Sequence, residues 1–183
     1  KKPEPYKGKG IKYIDEVMVT TDDDEIIEIA KIFKANVPFK RPNVLASDHA
    51  TRSEVIRHTI EFYEQELNKK FDYVVFLQPT SPLRNAKHID EAIEYMFSKK
   101  GDATVSVCEV EHPIHWSGPL PKDNNMSQFL DRVSVQSRSQ DLPTSYRLNG
   151  AIYICDVNRF LEEGCVFLKN NIYAFKMSQE VSV

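Results

Sequence analysis

The hydrophobic pattern of the chain alternates between strand-like runs and helical stripes. The uncharged run Tyr73–Leu77 contains β-branched and aromatic residues and predicts a strand that is buried on both faces. Apolar residues recur at helical spacing in three segments, which predict amphipathic helices: Ile26, Ile29, Ala30 and Phe33; Ile56, Ile60, Tyr63 and Leu67; Ile89, Ile93 and Met96. This alternation is typical of an α/β domain with a mostly parallel sheet and helices on both of its faces.

Weaker signals complete the predicted order of elements. Further strands are predicted at Tyr13–Thr20, Ala103–Cys108, Ala151–Cys155 and Tyr173–Phe175. Another helix is expected from about Val157 to Glu163, with Gly164 as its C-cap. The run Thr21–Asp24 predicts a helix cap rather than a metal site, because three adjacent Asp side chains cannot all face one ion.

The regular pattern stops between Glu111 and Tyr146, a stretch that contains four prolines and the single tryptophan. A connection of this length inside a compact domain is usually functional or reaches a partner. We therefore expect residues 111–146 to form an arm that protrudes from a single domain comprising residues 1–183.

Composition narrows the classes of function. The net charge of −3 gives no field that would attract nucleic acid, and the 41% of hydrophobic residues is typical of a globular protein. No apolar stretch approaches the roughly 20 residues that span a bilayer, and Lys1–Pro5 does not resemble a signal peptide. The three cysteines are widely spaced, which favours reduced thiols. These features predict a cytoplasmic enzyme or binding protein that contacts neither nucleic acid nor membrane.

The segment that follows the first buried run is the strongest candidate for a binding site, because ligands of α/β sheets collect beyond the carboxyl ends of strands. Gln78–Arg84 offers a carboxamide, the hydroxyls of Thr80 and Ser81, and a guanidinium, all in a loop stiffened by two prolines. Such groups suit a polyhydroxylated, anionic ligand, since the arginine can bind a carboxylate or a phosphate. The alternative is a rigid polar turn without a ligand. Arg147 and Asn149, further along the chain, allow the same two interpretations.

Four stretches together resemble a known family. Arg41–Asp48, Leu77–Arg84, Gln140–Pro143 and Asn149–Tyr153 lie in the order and approximate spacing found in the acylneuraminate cytidylyltransferases. The resemblance runs over nearly the whole chain, from about Tyr13 onwards. Related enzymes that act on 3-deoxy-octulosonate carry Leu-Gln-Gly-Asp where this chain has Leu-Gln-Pro-Thr, so the loop favours a sialic-acid-like sugar.

The resemblance implies a Rossmann-like nucleotidyltransferase, usually a homodimer, that joins CTP to a sialic-acid-like sugar and releases pyrophosphate with Mg²⁺. Its motifs place six residues in the sugar pocket: Gln78, Thr80, Ser81, Asn149, Tyr153 and Phe167, the last against the N-acyl group. They place four residues against the cytidine: Arg41, Ala50, Thr51 and Arg52. The arm of residues 111–146 matches the family's dimerisation segment, which crosses to the neighbouring subunit and helps to bind the sugar carboxylate there.

The basic residues expected at that carboxylate are Arg138 and Arg147, while Arg84 is expected to bind a carboxylate or phosphate of the ligand from the Gln78–Arg84 loop. The family places an arginine directly before Gln140–Pro143, where this chain has Ser139, and Arg138 lies one position earlier.

The sequence contains no counterpart of the family's Gly-rich phosphate loop or of the metal-binding aspartates that follow its last motif, so no catalytic residue is assigned. Two hypotheses remain: an active enzyme whose phosphate loop and metal carboxylates lie outside this sequence, and a non-catalytic or truncated relative that binds a sugar acid without them.

Overall fold

A four-stranded sheet forms the centre of the structure, a computed structural model that describes residues 11–47, 49–131 and 142–182. Its strands are β1 (Tyr73–Phe76), β2 (Ala103–Glu109), β3 (Tyr146–Asp156) and β4 (Ile172–Met177), and they lie in the order β1-β3-β2-β4. The α-helices of the described residues are α1 (Asp24–Ile32), α2 (Arg52–Gln65), α3 (Ala86–Ser98), α4 (Met126–Leu130) and α5 (Val157–Glu163).

The sheet is mixed, so the prediction of a mostly parallel sheet was wrong. β2 and β4 are parallel, whereas β3 runs antiparallel to both β1 and β2. Glu109 at the end of β2 pairs with Tyr146 at the start of β3, and the Val110 N–H donates to the Ser145 carbonyl at 3.0 Å. The irregular segment therefore acts as a long hairpin connection, which hydrophobic periodicity cannot reveal because it reports burial and not strand direction.

β1 is less buried than its sequence predicted. Among the described residues it pairs only with β3 and forms one edge of the sheet. Tyr73 is exposed and the other three residues of the strand are half-buried, so burial on both faces is not observed. The strand ends at Phe76, and the polar loop begins there as expected.

Helices cover both faces of the sheet, as predicted. On one face, Ile56 of α2 and Phe160 of α5 pack with Tyr153 and Cys155 of β3. On the other face, Ile152 and Ile154 of the same strand belong to a cluster with α3 residues that include Ile89, Ile93 and Met96. β3 thus supplies alternate residues to two apolar clusters, which its strand geometry requires.

Local capping signals were reliable. Asp23 caps α1 by accepting from the Ile26 N–H at 3.0 Å, and Thr51 forms a capping box with Glu54 at the start of α2. Gly164 ends α5 in the left-handed conformation with φ of 69°.

Two predictions near the start of the chain were wrong. The expected strand Tyr13–Thr20 is reduced to a single bridge between Met18 and Asn36, and Tyr13 instead packs with the α3 cluster without joining a strand ladder. Three residues of the predicted apolar stripe of α1 are exposed, with Phe33 80% exposed, whereas Ala30 is buried as predicted together with Ile27, which was not predicted.

The arm is described over residues 111–131 and 142–145. It contains a 3₁₀ turn at Ile114–Trp116 and the short helix α4, while Tyr146, predicted as its last residue, already belongs to β3. Large apolar side chains in the arm are exposed: Ile114, Trp116, Leu120, Met126 and Leu130. No helix within the described part of the chain is long and apolar enough to cross a membrane.

Candidate functional site

Arg84 holds the loop after β1 against the sheet. Its Nη1 donates to the carbonyl of Gln78 at 3.0 Å and to the carbonyl of Ala151 at 2.8 Å. Partial burial lowers the pKa of this guanidinium from its ordinary value. Ser81 of the loop is buried and Thr80 is exposed. Arg84 therefore fixes the backbone on either side of the site, which is a different use from the direct ligand contact expected from the sequence.

Gln78 meets Gly150 and Arg52 at the end of β1. Its carboxamide is satisfied when the nitrogen donates to the Gly150 carbonyl at 3.1 Å and the oxygen accepts from Arg52 Nη2 at 2.9 Å. Gly150 has φ of +75°, and a Cβ there would lie 2.5 Å from the Gln78 carboxamide. The backbone conformation favours glycine at this position, and any larger residue would displace the Gln78 carboxamide.

Aromatic rings form the apolar side of the same cluster. Tyr153 is 3% exposed, and its ring centre lies 6.0 Å from that of Phe76 and 5.8 Å from that of Phe167. The Arg52 guanidinium carbon lies 4.6 Å from the Tyr153 ring centre and 5.4 Å from that of Phe76. Phe167 remains 41% exposed and forms the rim. The structure thus brings four of the predicted residues together: Gln78, Tyr153, Phe167 and, from the set predicted for the nucleotide, Arg52. We call this group the Gln78 cluster.

Asn149 has a structural role that its motif did not reveal. Its Oδ1 accepts from Ser106 Oγ at 2.6 Å and from the Ala151 N–H at 3.2 Å. Its Nδ2 donates to Ser182 Oγ at 2.9 Å and to Met177 Sδ at 3.4 Å. Both ends of the carboxamide are therefore occupied within the protein, which leaves little capacity for a ligand.

Sequence reasoning missed the two serines in this network. The Ser106 hydroxyl bonds Asn149 and accepts from the Ile152 N–H at 2.7 Å, while Ser182 Oγ donates to the Ser178 carbonyl at 2.6 Å. Ser106 lies within a run that looks like any buried strand. The register shift in the pairing of β2 with β3, between Val105 and Val107, places it there, and no local pattern predicts such a shift.

Arg147 lies beside this network. Its Nη2 donates to the Ser182 carbonyl at 3.2 Å, and the residue is otherwise exposed. Arg138, the other arginine expected at the sugar carboxylate, lies outside the described residues.

The residues predicted for the nucleotide lie in two places. Arg41 donates through Nε to Thr20 Oγ1 at 3.2 Å and through Nη2 to the Thr20 carbonyl. Ala50 and Thr51 precede α2, where the Thr51 N–H and hydroxyl both donate to Glu54 Oε2 at 2.7 Å and lower the pKa of that carboxyl. The residues after Arg41 and one side of α2 form a groove of about 300 Å³. It is lined by Pro42, Val44, Leu45, Glu54, Arg57, His58 and Glu61.

Comparison with known proteins decides the family. The sequence profile of the cytidylyltransferase family matches residues 9–177. The chain belongs to the cytidylyltransferases. The resemblance noted in the sequence motifs is thereby confirmed.

Several curated cytidylyltransferases are similar to this chain. The pseudaminic acid cytidylyltransferase of Campylobacter jejuni is 34% identical over 153 residues, which cover 84% of this chain and 65% of that protein. The N-acylneuraminate cytidylyltransferase of Streptococcus agalactiae is 34% identical over 171 residues, covering 92% of this chain and 39% of that protein. The CMP-N,N'-diacetyllegionaminic acid synthase of Legionella pneumophila is 30% identical over 152 residues, which cover 81% of this chain and 62% of that protein. The chain therefore spans less than two thirds of the length of these relatives.

Metal-ligating side chains are not clustered in the described part of the chain. Nowhere in residues 11–47, 49–131 and 142–182 do three or more His, Cys, Asp or Glu side chains lie together so that they could hold an ion. The site as described is suited to binding and orienting a polar ligand through an amide, a cation and aromatic surfaces.

Proposed function

We propose that the protein transfers the cytidylyl group of CTP to a sialic-acid-like nonulosonic acid. The observation that carries this proposal is the Gln78 cluster, in which a preorganised carboxamide and guanidinium stand beside the Tyr153 ring in a cytidylyltransferase fold. The names of the relatives specify pseudaminic, N-acylneuraminic and diacetyllegionaminic acids, and support this class of sugar.

In the proposed reaction, the oxygen of the sugar's anomeric hydroxyl forms a bond to the α-phosphorus of CTP. The bond from that phosphorus to the departing pyrophosphate breaks, and the hydroxyl proton is released. Charge accumulates on the phosphoryl oxygens, and such charge is stabilised by cations or aligned donors. Mg²⁺ is expected in this role, but the described residues offer no set of ligands for it, and we assign no step to the ion.

The cluster can bind the acceptor sugar through groups that the protein leaves unused. After its bonds to Gly150 and Arg52, the Gln78 carboxamide keeps an N–H and an oxygen lone pair that can pair with sugar hydroxyls. The exposed part of the Phe167 side chain can pack against the apolar part of an N-acyl group. Arg41, Ala50 and Thr51 would contact the cytidine, and Asn149 would position β3 rather than touch the sugar.

We further propose that the arm forms a homodimer contact. Five large apolar side chains are exposed between Ile114 and Leu130, and the tryptophan and methionine among them are residue types enriched in interfaces. Light scattering of the full-length protein is expected to give a dimer mass, and replacing Ile114 and Leu120 together by Asp is expected to give a monomer. A wild-type monomer at all concentrations would refute this part of the proposal. The use of CTP and the three free thiols fit a cytoplasmic location, which we also propose.

A pyrophosphate-release assay tests the activity. The full-length protein would be incubated with CTP and Mg²⁺ and, separately, with pseudaminic, legionaminic and N-acetylneuraminic acids, with 3-deoxy-octulosonate as the control acid. Release is expected with at least one of the three nonulosonic acids and not with the control. Calorimetric binding of a nonulosonic acid without any pyrophosphate release would favour a non-catalytic sugar-acid-binding relative instead.

A further inference from the structure

The position of Arg52 differs from the role that its motif implies. The resemblance places Arg52 with the nucleotide, together with Ala50 and Thr51. In the structure its guanidinium points to Gln78 and Tyr153, both of which belong to the predicted sugar pocket. The capping box of Thr51 fixes the start of α2, and therefore fixes the backbone from which Arg52 extends.

Arg52 is held in one orientation and still has free donors. Its guanidinium packs across the rings of Tyr153 and Phe76, at 4.6 and 5.4 Å from their centres, and Nη2 donates to Gln78 at 2.9 Å. Among the residues that the structure describes, Gln78 is its hydrogen-bond partner, and the remaining N–H groups are available. A stacked arginine loses little conformational freedom when it binds a planar anion.

The other arginines near the site are used differently. Arg84 donates to two backbone carbonyls, and Arg147 donates to the carbonyl of Ser182. Both join segments of the protein backbone. Arg52 alone of these three bonds a side chain of the Gln78 cluster, so its free donors lie beside the Gln78 carboxamide.

We propose that Arg52 binds the carboxylate of the acceptor sugar from within the same subunit as Gln78. A nonulosonic acid carries its carboxylate on the anomeric carbon, next to the hydroxyl that reacts. Binding that carboxylate would therefore orient the reacting hydroxyl as well as select acids over neutral sugars. This inference rests on the proposed function, because it assumes that a nonulosonic acid is the acceptor.

The test compares a sugar acid with its methyl ester in steady-state kinetics of the full-length protein. The acid is the nonulosonic acid that gives turnover, and the ester has the same hydroxyl groups without the negative charge. Variants are Arg52→Gln, Arg52→Lys and, as a control on the same helix, Glu64→Gln. Glu64 pairs with Lys70 at 2.6 Å, lies about three helical turns beyond Arg52 and does not line the groove near Arg41.

We expect Arg52→Gln to raise the KM for the acid about 10- to 100-fold, which is the usual worth of a hydrogen-bonded charge pair. The KM for CTP should not change, the KM for the ester should change little, and Arg52→Lys should recover part of the loss. Glu64→Gln should leave all three values at the wild-type level. Thermal melting of each variant checks that the fold is retained.

Three results would overturn the inference. An equal rise in KM for acid and ester would show that Arg52 only positions Gln78. A rise confined to the KM for CTP would show that Arg52 binds the nucleotide or its phosphates. Unchanged kinetic constants in Arg52→Gln would show that Arg52 does not contact the substrate, and would leave the proposed function intact. Failure of the wild-type protein to bind or turn over any nonulosonic acid would instead overturn the proposed function, and this inference with it.

Discussion

Replacing Gly150 by Ala separates the cost of a strained backbone from the loss of the Gln78 arrangement. Gly150 has φ of +75°, where an L-residue is about 1 to 2 kcal/mol less stable. Gly164 has φ of +69°, but a Cβ there meets nothing nearer than Arg57 Nη2 at 3.8 Å. Gly164→Ala is therefore a control with the same backbone strain and no contact with the site.

The two variants should differ at Gln78. A Cβ on Gly150 would lie 2.5 Å from the Gln78 carboxamide, so this flexible side chain must move and lose its bonds to Gly150 and Arg52. We expect Gly150→Ala to lower the free energy of unfolding by about 1 kcal/mol more than Gly164→Ala does. It should also raise the KM for the sugar about tenfold, the value of one net hydrogen bond.

Urea denaturation gives the free energies of unfolding, and steady-state kinetics at saturating CTP give the KM for the sugar. Gly164→Ala should be destabilised with an unchanged KM. If Gly150→Ala and Gly164→Ala show the same KM for the sugar, then the contact between Gly150 and Gln78 does not shape the sugar site and the reasoning is refuted.

Three further predictions concern single groups. Arg84→Met removes two hydrogen bonds to backbone carbonyls and should lower the free energy of unfolding by about 2 to 4 kcal/mol in urea denaturation. Arg147→Met removes one such bond and should lower it by about 1 kcal/mol or less, so equal losses would contradict the role of Arg84. The Thr51 N–H and, to a smaller degree, the Thr51 hydroxyl lower the folded pKa of Glu54, so this stabilisation is present above the unfolded pKa of about 4.5 and is lost as the pH falls through the lowered folded pKa. Thr51→Val removes only the hydroxyl, so the stability difference between wild type and Thr51→Val should shrink in acid, and a difference independent of pH would oppose this. Burial raises the pKa of the Cys155 thiol to about 12. Iodoacetamide at pH 8 should therefore label the half-exposed Cys165 and leave Cys155 unmodified, as read by peptide mass spectrometry. Labelling of Cys155 in the native protein would contradict its burial.

Local signals in the sequence predicted local structure well. The cap at Asp23 and the glycine terminus at Gly164 were correct because each depends on a few neighbouring residues. The direction of β3 could not be predicted in this way. It depends on where the chain returns after the arm, and the pairing of Glu109 with Tyr146 joins residues far apart in sequence.

In the candidate site, too, the features that depend on neighbouring residues were predicted and those that depend on tertiary contacts were not. Gln78 and Tyr153 were both predicted for the sugar pocket and do lie in one cluster, joined by Arg52. The use of Asn149 inside the protein depends on Ser106 and Ser182, and the placement of Arg52 depends on how α2 approaches β1 and β3. A motif identifies residue types that suit a ligand, but only tertiary contacts show which of their donors and acceptors remain free.

The most direct test of the account is mass spectrometry of the reaction products of the full-length protein with CTP, Mg²⁺ and each of the three nonulosonic acids. The account predicts a product that combines one cytidine monophosphate with one sugar acid, formed in equal amount with pyrophosphate, and much less of it with Gln78→Ala. Intact CTP and free sugar with every acid, under conditions in which the protein is folded, would contradict it.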